Sequence, residues 1–143
     1  MLVEKLEQIS KELGWSFNYG NHFWQNLNDF EDDSKLPFDE KQIYCLLLWQ
    51  DVERKFNEYS TPVQRVFNGE LILCVRSHMD EVDYYQKYND HIKQLRIVLE
   101  DFYNLFHSCE EFNLVRAKEI EVANTYDTNL DGIKLEFTIS IDK

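Results

Sequence analysis

Ile133-Lys134-Leu135-Glu136-Phe137-Thr138-Ile139-Ser140-Ile141 alternates apolar and polar residues without a break. Side chains of a strand point to opposite faces in turn, so this stretch has one oily face and one wet face. It requires strands beside it and a helix or second sheet over its oily face. The fold class predicted from it is α+β: a mostly antiparallel sheet packed against one long helix, with a short N-terminal helix, in one domain over residues 1–143.

The long helix lies upstream. Tyr84, Tyr88, Ile92, Leu95, Leu99, Phe102 and Phe106 recur at spacings of three and four, the period of one helical face. Ser77-His78-Met79-Asp80 reads as a capping-box start. From Asp80 to Phe106 the helix is roughly 40 Å long at 1.5 Å per residue. The short helix comes from Leu2, Leu6, Ile9 and Leu13 on one face, with Gly14 where a helix C-cap wants glycine.

Between the helices the pattern is less decisive. Gln42 to Phe56 reads as a strand through Tyr44-Cys45-Leu46-Leu47-Leu48-Trp49, or as a helix with Cys45, Leu48, Trp49, Val52 and Phe56 on one face. Periodicity does not arbitrate for so short an apolar run. Glu70 to Arg76 is β-rich, with Leu71, Leu73 and Val75 alternating. The two segments are read as an antiparallel pair across a polar loop around Glu58 to Pro62. Asn68-Gly69 is a bulge in the second strand or a tight turn of its own. Leu114 to Asn124 is a further strand, and the loop Thr125 to Gly132 joins it to the closing one.

Composition narrows the function classes. The chain of 143 residues suits one core, and 43% hydrophobic with 29% charged residues is an ordinary globular balance. A net charge of −12 disfavours a phosphate-binding surface, which needs clustered Lys and Arg. No nucleic-acid or membrane partner is expected. Charges break the apolar run of Met1 to Glu7, so it does not read as a secretory signal. Cys45, Cys74 and Cys109 are odd in number and widely spaced, as reduced packing cysteines of a cytosolic setting are.

Candidate chemistry is sparse. Asp127-Thr-Asn129-Leu-Asp131-Gly132 matches the first half of a calcium loop, but position twelve is Thr138 where a bidentate Glu belongs. No metal or cofactor is therefore expected. His22, His78, His91 and His107 have no metal-like spacing. Ser77-His78-Met79-Asp80 holds triad residue types, and His107-Ser108-Cys109 a nucleophile pair, yet each reads better as a helix end. No catalytic residue is assigned. The aromatics Trp15, Phe17, Tyr19, Phe23, Trp24, Phe30 and Phe38 are expected at the core edge or a protein interface rather than around a cofactor.

One resemblance carries a functional expectation. Glu70-Leu-Ile-Leu-Cys-Val-Arg-Ser77 leads into the helix Asp80 to Phe106, and the hairpin Lys118 to Ile141 closes the chain. This order of short helix, strand pair, long helix and hairpin resembles the tail-completion or tail-terminator proteins of long-tailed bacteriophages. The resemblance implies a non-enzymatic virion subunit that is assembled in the host cytoplasm. It would form a homo-oligomeric ring at the head-tail junction and meet other neck or tail-tube proteins. An acidic channel wall would not hold passing DNA. The alternative is an adaptor or binding module of the bacterial cytoplasm, using Trp15 to Phe38 as its contact surface. A third reading is an enzyme with an unrecognised site. Candidate interface residues are Phe23 and Trp24 of that stretch, with Phe56, Tyr59, Tyr126 and Leu130 on the loops Glu53 to Pro62 and Thr125 to Leu130.

Overall fold

A computed structural model describes residues 1–20, 33–77, 84–125 and 130–142. Helix α1 spans Leu2–Glu12 and strand β1 spans Ser16–Tyr19. A 3₁₀ turn, Phe38–Glu40, precedes β2 (Tyr44–Phe56) and β3 (Pro62–Arg76). The long helix α2 runs through Tyr84–Lys87, a π-helical turn Tyr88–Ile92, and Lys93–His107. Strands β4 (Asn113–Thr125) and β5 (Leu130–Asp142) close the fold. The sheet order is β1-β2-β3-β5-β4; β1 runs parallel to β2 and every other neighbour is antiparallel. The chain is thus α+β, as the closing strand predicts.

That strand lies near the middle of the sheet, between β3 and β4. Ile133, Leu135, Phe137, Ile139 and Ile141 are all buried against Leu95, Leu99, Phe102 and Phe106 of α2. Helix α1 adds Leu2, Leu6 and Ile9 to the same layer, and Trp15 stacks on Phe102 with centroids 6.0 Å apart. Gly14, at φ +77°, ends α1 in the left-handed region that a Cβ disfavours. On the far edge, Arg96 of α2 reaches Glu119 at 3.4 Å and Glu121 at 3.7 Å, tying the helix to β4.

The strand reading of Gln42 to Phe56 is the correct one, and its ambiguity has a physical cause. Tyr44, Cys45, Leu46 and Leu47 are all buried. Cys45 and Leu47 face the helices; Tyr44 and Leu46 join Ile72, Cys74 and Leu130 in a second apolar cluster on the opposite face. A strand covered on both sides has no alternation to show.

Three boundaries differ from the sequence reading. The polar loop between β2 and β3 shrinks to Asn57–Thr61, because Glu53–Phe56 and Pro62 are strand. Asn68-Gly69 is neither turn nor bulge; it pairs in register with Asp51 and Gln50 on one side and Thr138 and Phe137 on the other. Gly69 is needed for space, since a Cβ there would meet the Trp49 carbonyl at 2.6 Å and the Phe137 ring at 2.7 Å. The last loop also ends early: Leu130, Asp131 and Gly132 belong to β5. The ladder irregularity sits one residue along, between Leu47 and Trp49, where Leu48 is the extra residue.

Candidate assembly surface

Strand β1 covers the outer edge of β2 only at Tyr44 to Leu47. Past the bulge at Leu48, β2 continues to Phe56 with β3 on one side and no described strand on the other. This half of the hairpin carries the exposed apolar side chains Trp49, Val52, Phe56, Tyr59 and Val63. Phe56 is 55% exposed and Tyr59 80%. Edge strands offer unpaired main-chain groups to any strand that approaches, and apolar side chains along them invite it.

The display is built rather than loose. The Asn57 N–H donates to the Thr61 carbonyl at 3.0 Å, and the Ser60 N–H donates to the Asn57 carbonyl at 3.0 Å. The Asn57 side-chain oxygen accepts from the Tyr59 N–H at 2.9 Å and the Thr61 N–H at 3.0 Å, an Asx turn within the loop. Ser60 takes a positive φ of 61° to close it. Asn57 therefore fixes where Tyr59 projects. Behind the tip, Asp51, Glu53, Arg54 and Lys55 are exposed.

The candidate interface residues divide. Phe56 and Tyr59 lie together on this hairpin; Phe23, Trp24 and Tyr126 lie outside the described residues. Leu130 is a correction. It is 1% exposed and packs with Tyr44, Leu46, Ile72 and Cys74, so it supports the sheet and offers no surface. Trp15, from the aromatic stretch, is likewise core. Trp49 and Val52, which the sequence left in an apolar strand or on one helical face, are exposed on the same hairpin.

A second cluster holds the residue types of catalysis. The Lys87 ammonium donates to Asp131 Oδ2 at 3.0 Å and to the Ser77 hydroxyl at 3.2 Å. His91 Nδ1 lies 3.1 Å from the same Asp131 oxygen. All four residues are buried. They come from the end of β3, the π-turn region of α2 and the start of β5, so the cluster clips the helix to the sheet. Asp131, the second acid of the calcium-like run, is thereby engaged by Lys87 and His91 on a strand. His91 also lines a cleft of about 530 Å³ with Lys35, Asp39, Asn89, Asp90 and Gln94. Among the described residues no three His, Cys, Asp or Glu side chains are grouped to hold a metal ion. His78 and Asp80, the rest of the triad-like run, lie outside them.

One further feature was illegible from the chain, the anchoring role of Lys41. Lys41 is buried and donates to the carbonyls of Asp33 at 3.3 Å, Ser34 at 2.7 Å and Arg76, pinning the approach to β2 onto the end of β3. Cys45 and Cys74 are free and buried on opposite faces of the sheet. Burial pushes the Cys45 thiol up to about 12 and the Cys74 thiol well above the ordinary range, so neither is a ready nucleophile.

No protein-family model matches the chain, and no curated protein matches it at a significant level.

Proposed function

We propose that this protein is a non-enzymatic structural subunit that works by assembling. The reading is of the kind implied by its resemblance to phage tail-completion and tail-terminator proteins: a ring at the head-tail junction of a virion, in contact with neck or tail-tube proteins. The observation that carries it is the outer half of the β2–β3 hairpin, a fixed edge strand and turn bearing Trp49, Val52, Phe56, Tyr59 and Val63 in exposed positions. Apolar side chains gathered on one projecting element serve contact with a partner, because the core does not use them. The net charge of −12 suits a subunit lining a DNA passage, since it would repel the passing strand.

Native mass by light scattering across a concentration series, with electron microscopy of the heaviest species, tests this. Assembly to a discrete oligomer is expected, and Tyr59→Asp should lower its mass while leaving the melting temperature of the dilute monomer unchanged. A strictly monomeric chain that instead binds one foreign polypeptide through the same hairpin would favour the adaptor reading.

A further inference from the structure

Past Leu47 the outer edge of β2 has no described strand beside it, which raises the question of what pairs with it. From the ladder with β3, Val52 and Arg54 point to the helix side of the sheet together with Phe67 and Arg65. Phe56 continues that row, while Asp51, Glu53 and Lys55 point to the other side. These side chains are exposed, and Glu53, Arg54 and Lys55 form no ion pair with any described residue.

We infer that this edge pairs with the same edge of a second copy, antiparallel, across a two-fold axis at Arg54. The inference rests on the assembly reading above and names its contact. A two-fold axis perpendicular to the sheet keeps each side chain on its own face, so a residue can oppose only residues an even number of positions away. Few registers remain. Centred on Val52, Asp51 opposes Glu53 twice. Centred on Glu53, that carboxylate opposes itself, Phe56 meets Gln50, and Val52 meets Arg54. Centred on Lys55, two ammonium groups meet and Phe56 falls beside Arg54. Centred on Arg54, Glu53 opposes Lys55 twice on one face and Val52 opposes Phe56 twice on the other. Only the Arg54–Arg54 pair is then of like charge, and long guanidinium side chains can splay into water. Opposite charges and apolar pairs directly across a ladder are the stabilising combinations.

The other sheet edge makes a poorer site. Strand β4 is bulged between Leu114 and Arg116, and its Glu119 and Glu121 are already held by Arg96. Bulges and engaged charges are how natural edges are blunted. Because the β2 contact is isologous it closes on itself, so any larger ring is made of pairs and holds an even number of chains.

A charge swap on the intact chain tests the register. Sedimentation or light scattering over a concentration series measures the dimer dissociation constant for wild type, Glu53→Lys, Lys55→Glu and the double variant. Each single variant turns two attractive pairs into repulsive ones and should weaken the dimer about tenfold or more. The double variant should return to within about threefold of wild type. Melting temperatures of the monomers, measured well below the wild-type dissociation constant, should coincide for all four, since the residues are exposed. Wild-type oligomers insensitive to both single variants would overturn the pairing while leaving the assembly reading standing. Disruption without rescue would overturn the register. A wild type that stays monomeric throughout would overturn the pairing and remove support for assembly by the free chain.

Discussion

The inner and outer halves of the β2–β3 hairpin share one ladder and differ in almost everything else. In the inner half, Tyr44 to Leu47 and Leu71 to Val75 are buried on both faces. In the outer half, every residue from Asp51 to Thr61 is exposed. The inner half spends its side chains on stability. The outer half keeps strand geometry, one edge with no described strand beside it and a fixed turn, and leaves its apolar groups exposed. A strand held in place by its neighbours but not covered by them suits a partner, because little ordering remains to be done on contact.

The contrast breaks most easily from the core side. Phe137→Ala removes a buried ring from the layer under α2 and should cost about 3–5 kcal/mol in chemical denaturation. A loss below about 1 kcal/mol would show that this face is not core.

Asp131→Ala strands the buried Lys87 ammonium without its carboxylate and should cost about 3–5 kcal/mol. Lys87→Met with Asp131→Leu should recover most of that, since a buried ion pair is often replaced by apolar groups at little net cost. Recovery would mark the cluster as a clip between helix and sheet. A double variant no better than the single would mean that these polar groups are needed for something beyond packing.

A smaller effect follows from the inner thiol. Cys45 stays protonated in the folded chain up to about 12, whereas the unfolded thiol ionises near its ordinary value of 9.0. Its folded pKa is raised, so its contribution is fully present below pH 9 and is lost as pH rises toward 12. Urea midpoints should therefore fall above pH 9, and less steeply in Cys45→Ala. Equal slopes in both proteins would assign the alkaline loss elsewhere.

The smallest expected change in stability is in the outer half. Phe56→Ser should shift unfolding by less than about 0.5 kcal/mol, as exposed positions do, yet lower the assembled mass. A large loss of stability there would erase the distinction between the halves.

How much of this was legible follows the same division. The alternation of Ile133 to Ile141 shows because one face meets helices and the other does not. Tyr44 to Leu47 hides its strand character because both faces are covered, and the bulge at Leu48 then shifts the pattern. Leu130 looked like a loop residue because Asn129 and Asp131 flank it. The ladder takes it inward regardless. The clip on Asp131 joins residues forty or more positions apart. Its one trace in the chain is that Lys87 and His91 fall beside the apolar stripe of α2, where a polar side chain needs a buried partner. Phe56 and Tyr59 could be read as a surface because polar residues surround them.

The bulge at Leu48 has a counterpart. The ladder between β2 and β3 gains one residue there and shifts back between Lys55 and Phe56, where Val63 is the extra residue on β3. The two arms go out of phase at one irregularity and regain it at another, while β3 stays paired with β5 throughout. Two residues added to each arm near the tip would lengthen it by one pleat and leave every inward side chain of the core where it is. One residue added to a single arm would instead exchange which side chains face a partner. The tip of this hairpin is thus a place where descent can revise contacts by counting residues alone, with the buried half of the same strands as an untouched handle.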